Sequence, residues 1–504
     1  MKKLLVAILL LAASLSLMGL PMLRLRHRVI QNPLAGNSDW PQFDPDPEQN
    51  DESPTSNIIY PNIERIRHMW MAQLPETADG SPAYVSGVTT ANGSVHDLVI
   101  ITTMQGRLMA FDSLTGTKIW STNPPAGPRW TTSSPAVGPD RDLVYSYCLD
   151  GRVHCYRVTD GSEVTANGFP HVVTLKGDVE KGSSALTIVT ARNGHSYLYA
   201  TVAGYPEPGD DGDYQGHLVA IDLNTGDEKV FNAACSDRAM HFVENGNESN
   251  DCAHVQSGIW ARAPIAYDAI TDRIFVTTSN GDYDADSGGF NWGDTIVALR
   301  PDGSTNDGTP LDSYTPIEYS FLQNNDLDFG STSPVILPLA KGTHLPRIAV
   351  QGGKDSKLRL INLHDLSGQG GPRHTGGELS VTQLPQGGVI LTRPAVWLSP
   401  SGTTWVFVTT HHGVSGLALT VDDDGTPSLE PRWMNSRDGA TPIVFGGVLY
   451  FARNHELVAL DPETGEKLWS NDAIGSIHWQ SPIVANGRIY VCDNDGHLHA
   501  YDAR

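Results

Sequence analysis

The chain repeats itself, and this internal repeat constrains the fold more than any other feature of the sequence. Three segments nearly superimpose, namely residues 110–120 (AFDSLTGTKIW), 220–231 (AIDLNTGDEKVF) and 459–469 (ALDPETGEKLW). In each, an alternating apolar strand ends in Asp, a Thr-Gly turn follows, and a second strand ends in an aromatic residue. Asp and Gly favour tight turns, and the aromatic ring fills space between neighbouring sheets. Each segment therefore predicts part of one repeated β-sheet unit.

Two further strands precede each of these segments. One hairpin is centred on an Asp-Gly or Gln-Gly turn, and a short strand before it usually opens with Ser-Pro or Thr-Pro. Eight such openings occur, near residues 82, 135, 185, 264, 334, 394, 442 and 482. Four-stranded units that recur every forty residues or more are typical of a β-propeller.

The two ends of the repeat region predict a closed ring. The last unit stops at residues 501–504 without a fourth strand, while a spare strand, residues 66–74, lies before the first unit. We therefore predict an all-β, eight-bladed propeller over residues 66–504, made of four-stranded antiparallel blades and closed by this N-terminal strand. Residues 29–65 form a lead-in segment. An open β-solenoid is the alternative.

Residues 1–28 indicate export. A basic start, Met1–Lys3, precedes an apolar run from Leu4 to Leu23, and three arginines follow within the next five residues. This segment is either a cleaved signal peptide or a retained membrane anchor. We expect an extracytoplasmic protein, periplasmic or secreted, in which Cys235 and Cys252 form a disulfide around a polar loop.

The formal net charge of -23 excludes one class of partner. Binding to nucleic acid needs clustered Lys and Arg against the phosphates, so we expect no nucleic-acid partner. An acidic surface keeps a protein soluble, and we expect a monomer that contacts a membrane only through an N-terminal anchor, if that segment is retained.

The repeated pattern Ala-x-Asp-x-x-Thr-Gly-x-x-x-Trp resembles the tryptophan-docking motif of the pyrroloquinoline-quinone (PQQ) repeat proteins. The stretch Asp39–Phe43 (DWPQF) is also similar to their lead-in. The resemblance runs from about residue 39 to the end and implies the propeller fold. It does not settle function, because the family includes quinoprotein dehydrogenases as well as non-catalytic relatives.

One face of such a ring carries the longest loops. If the strands of each blade are lettered A to D from the axis outward, the B–C loops and the D–A connections share a face, which we call the top. Three long insertions, residues 204–216, 232–259 and 281–293, map to the top of blades three and four. Loops of this length often carry function.

Residues just before the innermost A strands should line an axial funnel on the top face. Cations beside aromatic rings suit a flat, anionic ligand, and PQQ, a tricarboxylate quinone, fits that description. The alternative is that these cations pair with neighbouring carboxylates while the tryptophans pack between blades. The predicted ligand-binding residues are Arg129, Trp130, Lys181, Trp260, Arg262, Arg393 and Trp479.

Two further predictions concern catalysis and metal binding. Asp328 is a candidate catalytic base, although an Asp that caps a turn is the alternative. The alternating carboxylates Asp282, Asp284 and Asp286 resemble the start of a calcium loop, but Ser287 replaces its glycine and Gly293 its final glutamate. A solvated acidic loop is the alternative. The adjacent cysteine pair that the resemblance to the dehydrogenases implies is absent.

Three functions fit these patterns. The first is a module that binds an anionic ligand or a protein partner on its top face. The second is a PQQ-dependent dehydrogenase that oxidises alcohols or sugars. The third is a non-catalytic assembly scaffold, like the propeller subunit of the outer-membrane protein assembly machine. The missing cysteine pair weighs against the second function, and the cationic rim weighs against the third.

Overall fold

The computed structural model describes residues 39–44, 60–205, 213–238, 252–338 and 347–502. Within these ranges the strands form eight antiparallel sheets arranged as blades, which confirms the predicted all-β, eight-bladed propeller. Helices are few and short, and none in the described ranges has the length and apolarity that crossing a bilayer requires. The predicted signal peptide or anchor, residues 1–28, lies outside the described residues.

Blades one to four contain the following strands, numbered in chain order after β1: β2 (Ala83–Thr89), β3 (Val95–Thr102), β4 (Leu108–Asp112), β5 (Lys118–Ser121); β6 (Ala136–Val137), β7 (Leu143–Tyr147), β8 (Arg152–Arg157), β9 (His171–Val172); β10 (Glu180–Lys181), β11 (Thr187–Thr190), β12 (Ser196–Gly204), β13 (His217–Asp222), β14 (Glu228–Asn232); β15 (Ala266–Asp268), β16 (Arg273–Thr277), β17 (Ile296–Leu299), β18 (Asp312–Tyr314). The short strand β10 is an addition to blade three that the sequence does not predict.

Blades five to eight contain β19 (Val335–Ile336), β20 (Ile348–Gln351), β21 (Lys357–Asn362), β22 (Ser380–Gln383); β23 (Ala395–Leu398), β24 (Thr404–Thr410), β25 (Gly413–Val421), β26 (Pro427–Asn435); β27 (Ile443–Phe445), β28 (Val448–Arg453), β29 (Glu456–Leu460), β30 (Lys467–Asn471); β31 (Ile483–Ala485), β32 (Arg488–Cys492), β33 (His497–Asp502) and β1 (Arg67–Gln73). The helical segments are the 3-10 helices Tyr60–Arg65, Ala285–Ser287 and Phe329–Ser331 and the α-helix α1 (Tyr319–Asn324).

The innermost strands begin where the sequence predicts them. Each A strand starts one or two residues after its predicted opening, as at Ala83, Ala136 and Val335. Proline at the opening is compatible with this position, because the first residue of a strand can leave its amide out of the ladder. The apolar faces of adjacent blades pack together into buried clusters, so the core lies between blades around the ring.

The N-terminal strand closes the ring, as predicted. Strand β1 pairs antiparallel with β33, in a register that places Arg67 opposite Asp502 and Gln73 opposite His497. Blade eight therefore takes its fourth strand from the start of the propeller and its other three strands from the end. This pairing leaves no blade with three strands and covers the outer edge of β33.

Tryptophans at the ends of D strands dock onto the next blade. The indole nitrogen of Trp120, on strand β5 of blade one, donates to the carbonyl of Val158 in blade two at 2.9 Å. Its ring lies on the Thr-Gly type turn of that blade, where a side chain on Gly161 would begin only 2.5 Å from the ring, and the positive φ of 70° there also favours glycine. Trp70 and Trp433 dock in the same way. The repeated motif is therefore the joint between blades.

The lead-in residues 39–44 run along the inner strands of several blades. Trp40 pairs with Tyr84 of β2 through two backbone hydrogen bonds, of 3.0 and 2.7 Å. Phe43 packs against alanines at the openings of blades three and four, and Asp44 forms an ion pair with Arg393 at 3.1 Å. This segment therefore occupies the axial region of the ring and ties blades one, three, four and six together.

Candidate functional site

The candidate site is a cluster on the top face, where D–A connections and B–C loops from several blades meet around the axis. We call it the funnel. Its residues come from the A-strand openings of blades two, three, four, five and eight and from the B–C loops of blades three and five. They are Arg129, Trp130, Lys181, Tyr205, Trp260, Arg262, Asp328, Lys354 and Trp479.

One wall of the funnel alternates cations and aromatic rings. Lys181 Nζ lies 3.7 Å from the ring centroid of Trp130, and the Arg129 guanidinium lies 4.5 Å from that of Tyr205. The two rings meet edge to face, with centroids 5.7 Å apart. The predicted residues Arg129, Trp130 and Lys181 are thus brought together. Tyr205 joins them because β12 is extended into the long B–C loop of blade three.

The additional strand β10 holds Lys181 in place. Glu180 and Lys181 pair with the end of β12, opposite Gly204 and Ala203. The carboxylate of Glu180 accepts hydrogen bonds from the hydroxyl of Thr174 and from the backbone nitrogen of Gln215. Only 6% of Lys181 is exposed, so its ammonium group lies on the aromatic wall and not in open solvent.

Arg262 lies at the centre of the ring and links four blades. It extends from the opening of blade four, and only 4% of it is exposed. Its guanidinium donates to the hydroxyl of Thr132 at 2.8 Å, to the carbonyls of Thr132 and Ser183 at 2.7 and 3.0 Å, and to that of Asp79 at 3.1 Å. The ring of Trp479 from blade eight has its centroid 5.7 Å away.

The electrostatic environment of Arg262 is costly for a cation. Burial lowers the pKa of Arg262 to about 10, although the carboxylate of Asp79 acts in the opposite direction. That carboxylate is already engaged, because it accepts hydrogen bonds from His478 and from the backbone nitrogen of Trp479. An additional anion near Arg262 would therefore be favourable.

Two arginines of the funnel have an N–H group without an acceptor. Arg129 Nη1 and Arg262 Nε are both buried, and neither finds a hydrogen-bond partner in the described residues. A buried donor without an acceptor costs free energy, and the cost is greater for a charged group. These two groups therefore favour an external acceptor more than any other donors of the funnel do.

A second group of polar residues lies in the loops of blades four and five. Lys354 Nζ is 2.5 Å from Asp328 Oδ2, and Asp328 Oδ1 accepts a hydrogen bond of 3.0 Å from the backbone nitrogen of Asn280. Burial acts to lower the pKa of Lys354, but Asp328 and Asp326 outweigh it and raise that pKa. Lys354 also lies 5.6 Å from the ring of Trp260. Asp328 is therefore buried in an ion pair with Lys354.

Asp294 is a buried carboxyl group near Asp328. Burial raises the pKa of Asp294 well above its ordinary value, and the nearby charge of Asp328 adds to the shift. Asp294 Oδ1 accepts a hydrogen bond from the backbone nitrogen of Phe329, whereas Asp294 Oδ2 and Asn280 Oδ1 are buried without a partner in the described residues. These two oxygens suit a proton, a water or a cation.

Two of the predicted ligand-binding arginines are buried. Arg262 lies among backbone oxygens, as described above. Arg393 is only 2% exposed and forms an ion pair with Asp44 of the lead-in residues 39–44. The sequence does not predict this ion pair, because no pattern in residues 39–44 indicates contact with blade six. Ligand binding by these two arginines stays a prediction.

The three carboxylates of the predicted calcium loop are not brought together. Asp282 faces His254, with 2.6 Å between Oδ2 and Nδ1, whereas both oxygens of Asp284 accept hydrogen bonds from Asn291. Asp286 is exposed in a 3-10 turn. Asp284 therefore holds the shape of the loop from inside, and these three residues are not among the converging ligand groups of the described residues. Calcium binding by this loop stays a prediction.

The predicted cysteine pair is bonded in the structure. The sulfur atoms of Cys235 and Cys252 are 2.02 Å apart, and they close the long D–A connection between blades three and four. Cys148, Cys155 and Cys492 are free and buried. This bond links the two described ends of the long connection between blades three and four.

The geometry defines a class of protein, a closed eight-bladed propeller. Residues 40–304 match the PQQ family model, described as the β-propeller domain of glucose/ethanol/alcohol dehydrogenases. Residues 414–504 match the PQQ_2 model, described as outer membrane protein assembly factor BamB. The first match covers more than half of the chain, and the chain belongs to the PQQ-repeat family.

Solved structures share the fold. The quinohemoprotein alcohol dehydrogenase from Comamonas testosteroni superimposes with a TM-score of 0.63 and 16% identity, over 92% of this chain and 80% of that one. A europium-containing methanol dehydrogenase gives 0.60 and 16%, over 90% and 89%. No curated protein sequence matches the chain. At such identities the likeness extends to the fold alone.

Proposed function

We propose that the funnel binds a flat, anionic small molecule, in a protein that works outside the cytoplasm. The observation that carries this proposal is the pair of buried guanidinium N–H groups without acceptors, on Arg129 and Arg262. Carboxylate oxygens of a ligand would accept from both groups, and charge-assisted hydrogen bonds of this kind are among the strongest that proteins form.

The surroundings of these two arginines support a planar ligand. Trp130, Tyr205 and Trp479 supply aromatic surface beside the cations. A ring system can lie on such a surface while its carboxylates reach the guanidinium groups. The cations also gather at one place in a chain whose formal charge is -23. An anion would therefore be attracted to this place and repelled by the rest of the acidic surface.

PQQ fits this description better than a phosphate or a simple carboxylate does. Its three carboxylates match the two unpartnered N–H groups and Lys181, and its fused rings match the aromatic wall. Arg129, Lys181 and Arg262 would hold the carboxylates, and Trp479 would contact the rings. When bound, PQQ supplies a two-electron acceptor.

The location outside the cytoplasm is supported by two features. The Cys235–Cys252 bond is of a kind that persists in oxidising compartments. The first 28 residues also have the basic start and apolar run of an export segment. Both features are compatible with a periplasmic or a secreted protein.

Titration with PQQ tests the binding function. Loss of one charge-assisted contact removes about 1.5–3 kcal/mol, so Arg129→Met should weaken PQQ binding by about one to two powers of ten. Arg432→Met is the matched control, because Arg432 lies half exposed on an outer strand and pairs with Glu430. Binding that is undetectable in the natural protein, or that both variants weaken equally, would refute the proposal.

A second function, oxidation of an alcohol or sugar, is favoured by Asp328. It pairs with Lys354, and the buried oxygens Asn280 Oδ1 and Asp294 Oδ2, which have no partner in the described residues, would suit a cation such as calcium. In this function Asp328 would accept a proton from the substrate hydroxyl. We expect Asp328→Asn to abolish oxidation with an artificial electron acceptor while PQQ binding remains. Bound PQQ without turnover in the natural protein, supplied with calcium, would remove this second function and leave the first.

A further inference from the structure

Blade eight carries a group of histidines and one aspartate that the proposed function does not use. Asp493 follows β32, and His497 and His499 lie on β33, which returns antiparallel beside it. Two residues apart on a strand, the two histidines project from the same face. The hairpin turn brings Asp493 to that face as well.

The ligand atoms of these three residues converge. The distances from His497 Nδ1 to the two oxygens of Asp493 are both 3.2 Å, and His499 Nε2 lies 2.8 Å from Asp493 Oδ2. All three groups offer an atom within 4.8 Å of the others. For metal–ligand bonds of about 2.0–2.1 Å, neighbouring ligand atoms in a tetrahedron or octahedron are about 2.9–3.4 Å apart. The observed spacing is close to that of a coordination shell.

We propose that Asp493, His497 and His499 bind one divalent transition-metal ion. Two imidazoles and a carboxylate are the donors that Zn²⁺, Ni²⁺ and Co²⁺ prefer, whereas Ca²⁺ and Mg²⁺ prefer oxygen ligands alone. Three protein ligands leave at least one coordination position for water. The site is distinct from the funnel, because none of its ligands belongs to the residues that line the funnel.

The surroundings orient the aspartate. Asp493 Oδ1 accepts hydrogen bonds from the backbone nitrogens of His497 at 2.9 Å and Asp495 at 3.1 Å, and Oδ2 accepts one from that of Gly475 at 2.9 Å. These bonds come from the turn itself and from the connection between blades seven and eight. Asp493 is therefore held in one rotamer, as a preorganised ligand should be.

His68 supplies the outer partner that metal-bound histidines usually have. His68 Nε2 lies 3.1 Å from His499 Nδ1, on the side of the ring away from Asp493. When a metal is bound to Nε2 of His499, the ring proton of His499 is on Nδ1. This N–H group then donates a hydrogen bond to His68 Nε2. Because His68 lies on β1, metal binding would also strengthen the strand pairing that closes the ring.

Other histidine–carboxylate contacts of the described residues do not bring three such ligands together. His154 contacts Glu163 through Nδ1 and Asp150 through Nε2, so its two carboxylates lie on opposite sides of the ring. Within the described ranges, only the blade-eight group brings three such ligands together. His497 has 22% of its side chain exposed, whereas Asp493 and His499 have 1% each, so a metal would enter past His497.

Metal titration of the full-length protein tests this site. The protein is prepared without a histidine tag, treated with a chelator and titrated with Zn²⁺ by calorimetry and with Co²⁺ by visible absorption. We expect one ion per chain, with the absorption bands of Co²⁺ bound to nitrogen ligands. His497→Gln and His499→Gln should each weaken binding at least tenfold, and His68→Gln should weaken it about tenfold. His154→Gln should leave binding unchanged.

The His497→Gln variant distinguishes the loss of a metal ligand from the loss of the fold. His499→Gln removes a buried contact and can unfold blade eight, whereas His497→Gln changes a partly exposed side chain, and its thermal unfolding shows whether the ring is intact. Failure of the natural protein to bind either ion at one per chain would overturn the proposal. Equal affinity in the folded His497→Gln and His154→Gln variants would also overturn it.

Discussion

Replacing Trp120 by alanine should cost more stability than most substitutions in the ring, because this residue joins two blades. Only 7% of Trp120 is exposed, its ring covers Gly161 of the next blade, and its indole nitrogen donates to the carbonyl of Val158. The substitution removes the contacts of the indole ring with both blades and leaves a cavity between them that the rigid strands on either side cannot fill.

The expected loss is about 3–5 kcal/mol in the free energy of unfolding, the range for a buried aromatic residue replaced by alanine. Trp120→Phe separates the contribution of ring packing from that of the hydrogen bond to Val158. It keeps most of the ring but leaves the Val158 carbonyl without its donor, which costs about 1–3 kcal/mol.

Trp469 provides the matched control. It ends the D strand of blade seven and occupies the same place in the motif. The blade it faces takes its third and fourth strands from opposite ends of the chain, so no Thr-Gly turn joins them, and Trp469 instead meets Tyr501 edge to face at 5.9 Å. It is half-buried, so Trp469→Ala should cost clearly less.

Urea unfolding, followed by tryptophan fluorescence and circular dichroism, measures these losses. The midpoint should fall in the order natural protein, Trp469→Ala, Trp120→Ala, with similar slopes against urea. A loss below about 1 kcal/mol for Trp120→Ala, or an equal loss for both variants, would show that docking on the turn does not hold the blades together.

Three further predictions concern closure, pH and the disulfide. Deletion of residues 66–74 should lower the melting temperature of the whole ring, since β33 loses its partner; unchanged melting would contradict closure by β1. Burial alone raises the pKa of Glu318, but neighbouring cations lower it to about 2 from 4.5, so its stabilising effect is present above pH 4.5 and is lost as the pH falls towards 2. The stability difference between the natural protein and Glu318→Gln should therefore shrink across that window, and a constant difference in urea midpoints would refute this. Paired Cys235→Ser and Cys252→Ser substitutions open a loop with a sequence separation of 17 and should cost about 3 kcal/mol, measured as a shift in urea midpoint; two free thiols in the isolated natural protein would show that the bond does not form.

The fold could be predicted because each blade carries its own local signals. Strand alternation, the Asp-Gly turns and the proline at seven of the eight openings act over a few residues, and repetition makes a chance match improbable. Closure by residues 66–74 followed from counting strands. The addition of β10 did not, because two residues, Glu180 and Lys181, carry no periodic signal, and their pairing depends on the extended end of β12.

The site could be predicted only in part. Arg129, Trp130 and Lys181 come together because the position before an A strand fixes the distance of a residue from the axis. Position in the repeat does not show whether a side chain points outward or across the ring. Arg262 turns across it, and Arg393 turns towards a lead-in segment whose path has no sequence signal.

The pairing of β1 with β33 has a consequence for the order of folding. His68 and His499 meet across this seam although 431 residues separate them in the chain. Contacts within a blade are local and can form during synthesis, whereas the last pairing must wait until the final strand is available. The entropic cost of closing a loop rises only with the logarithm of its length, so the length of this loop takes little from the stability of the closed ring. Its effect is on the time at which β1 and β33 pair. Until then both strands present bare edges, and those are the surfaces that a chaperone, or a second unfinished chain, would meet first.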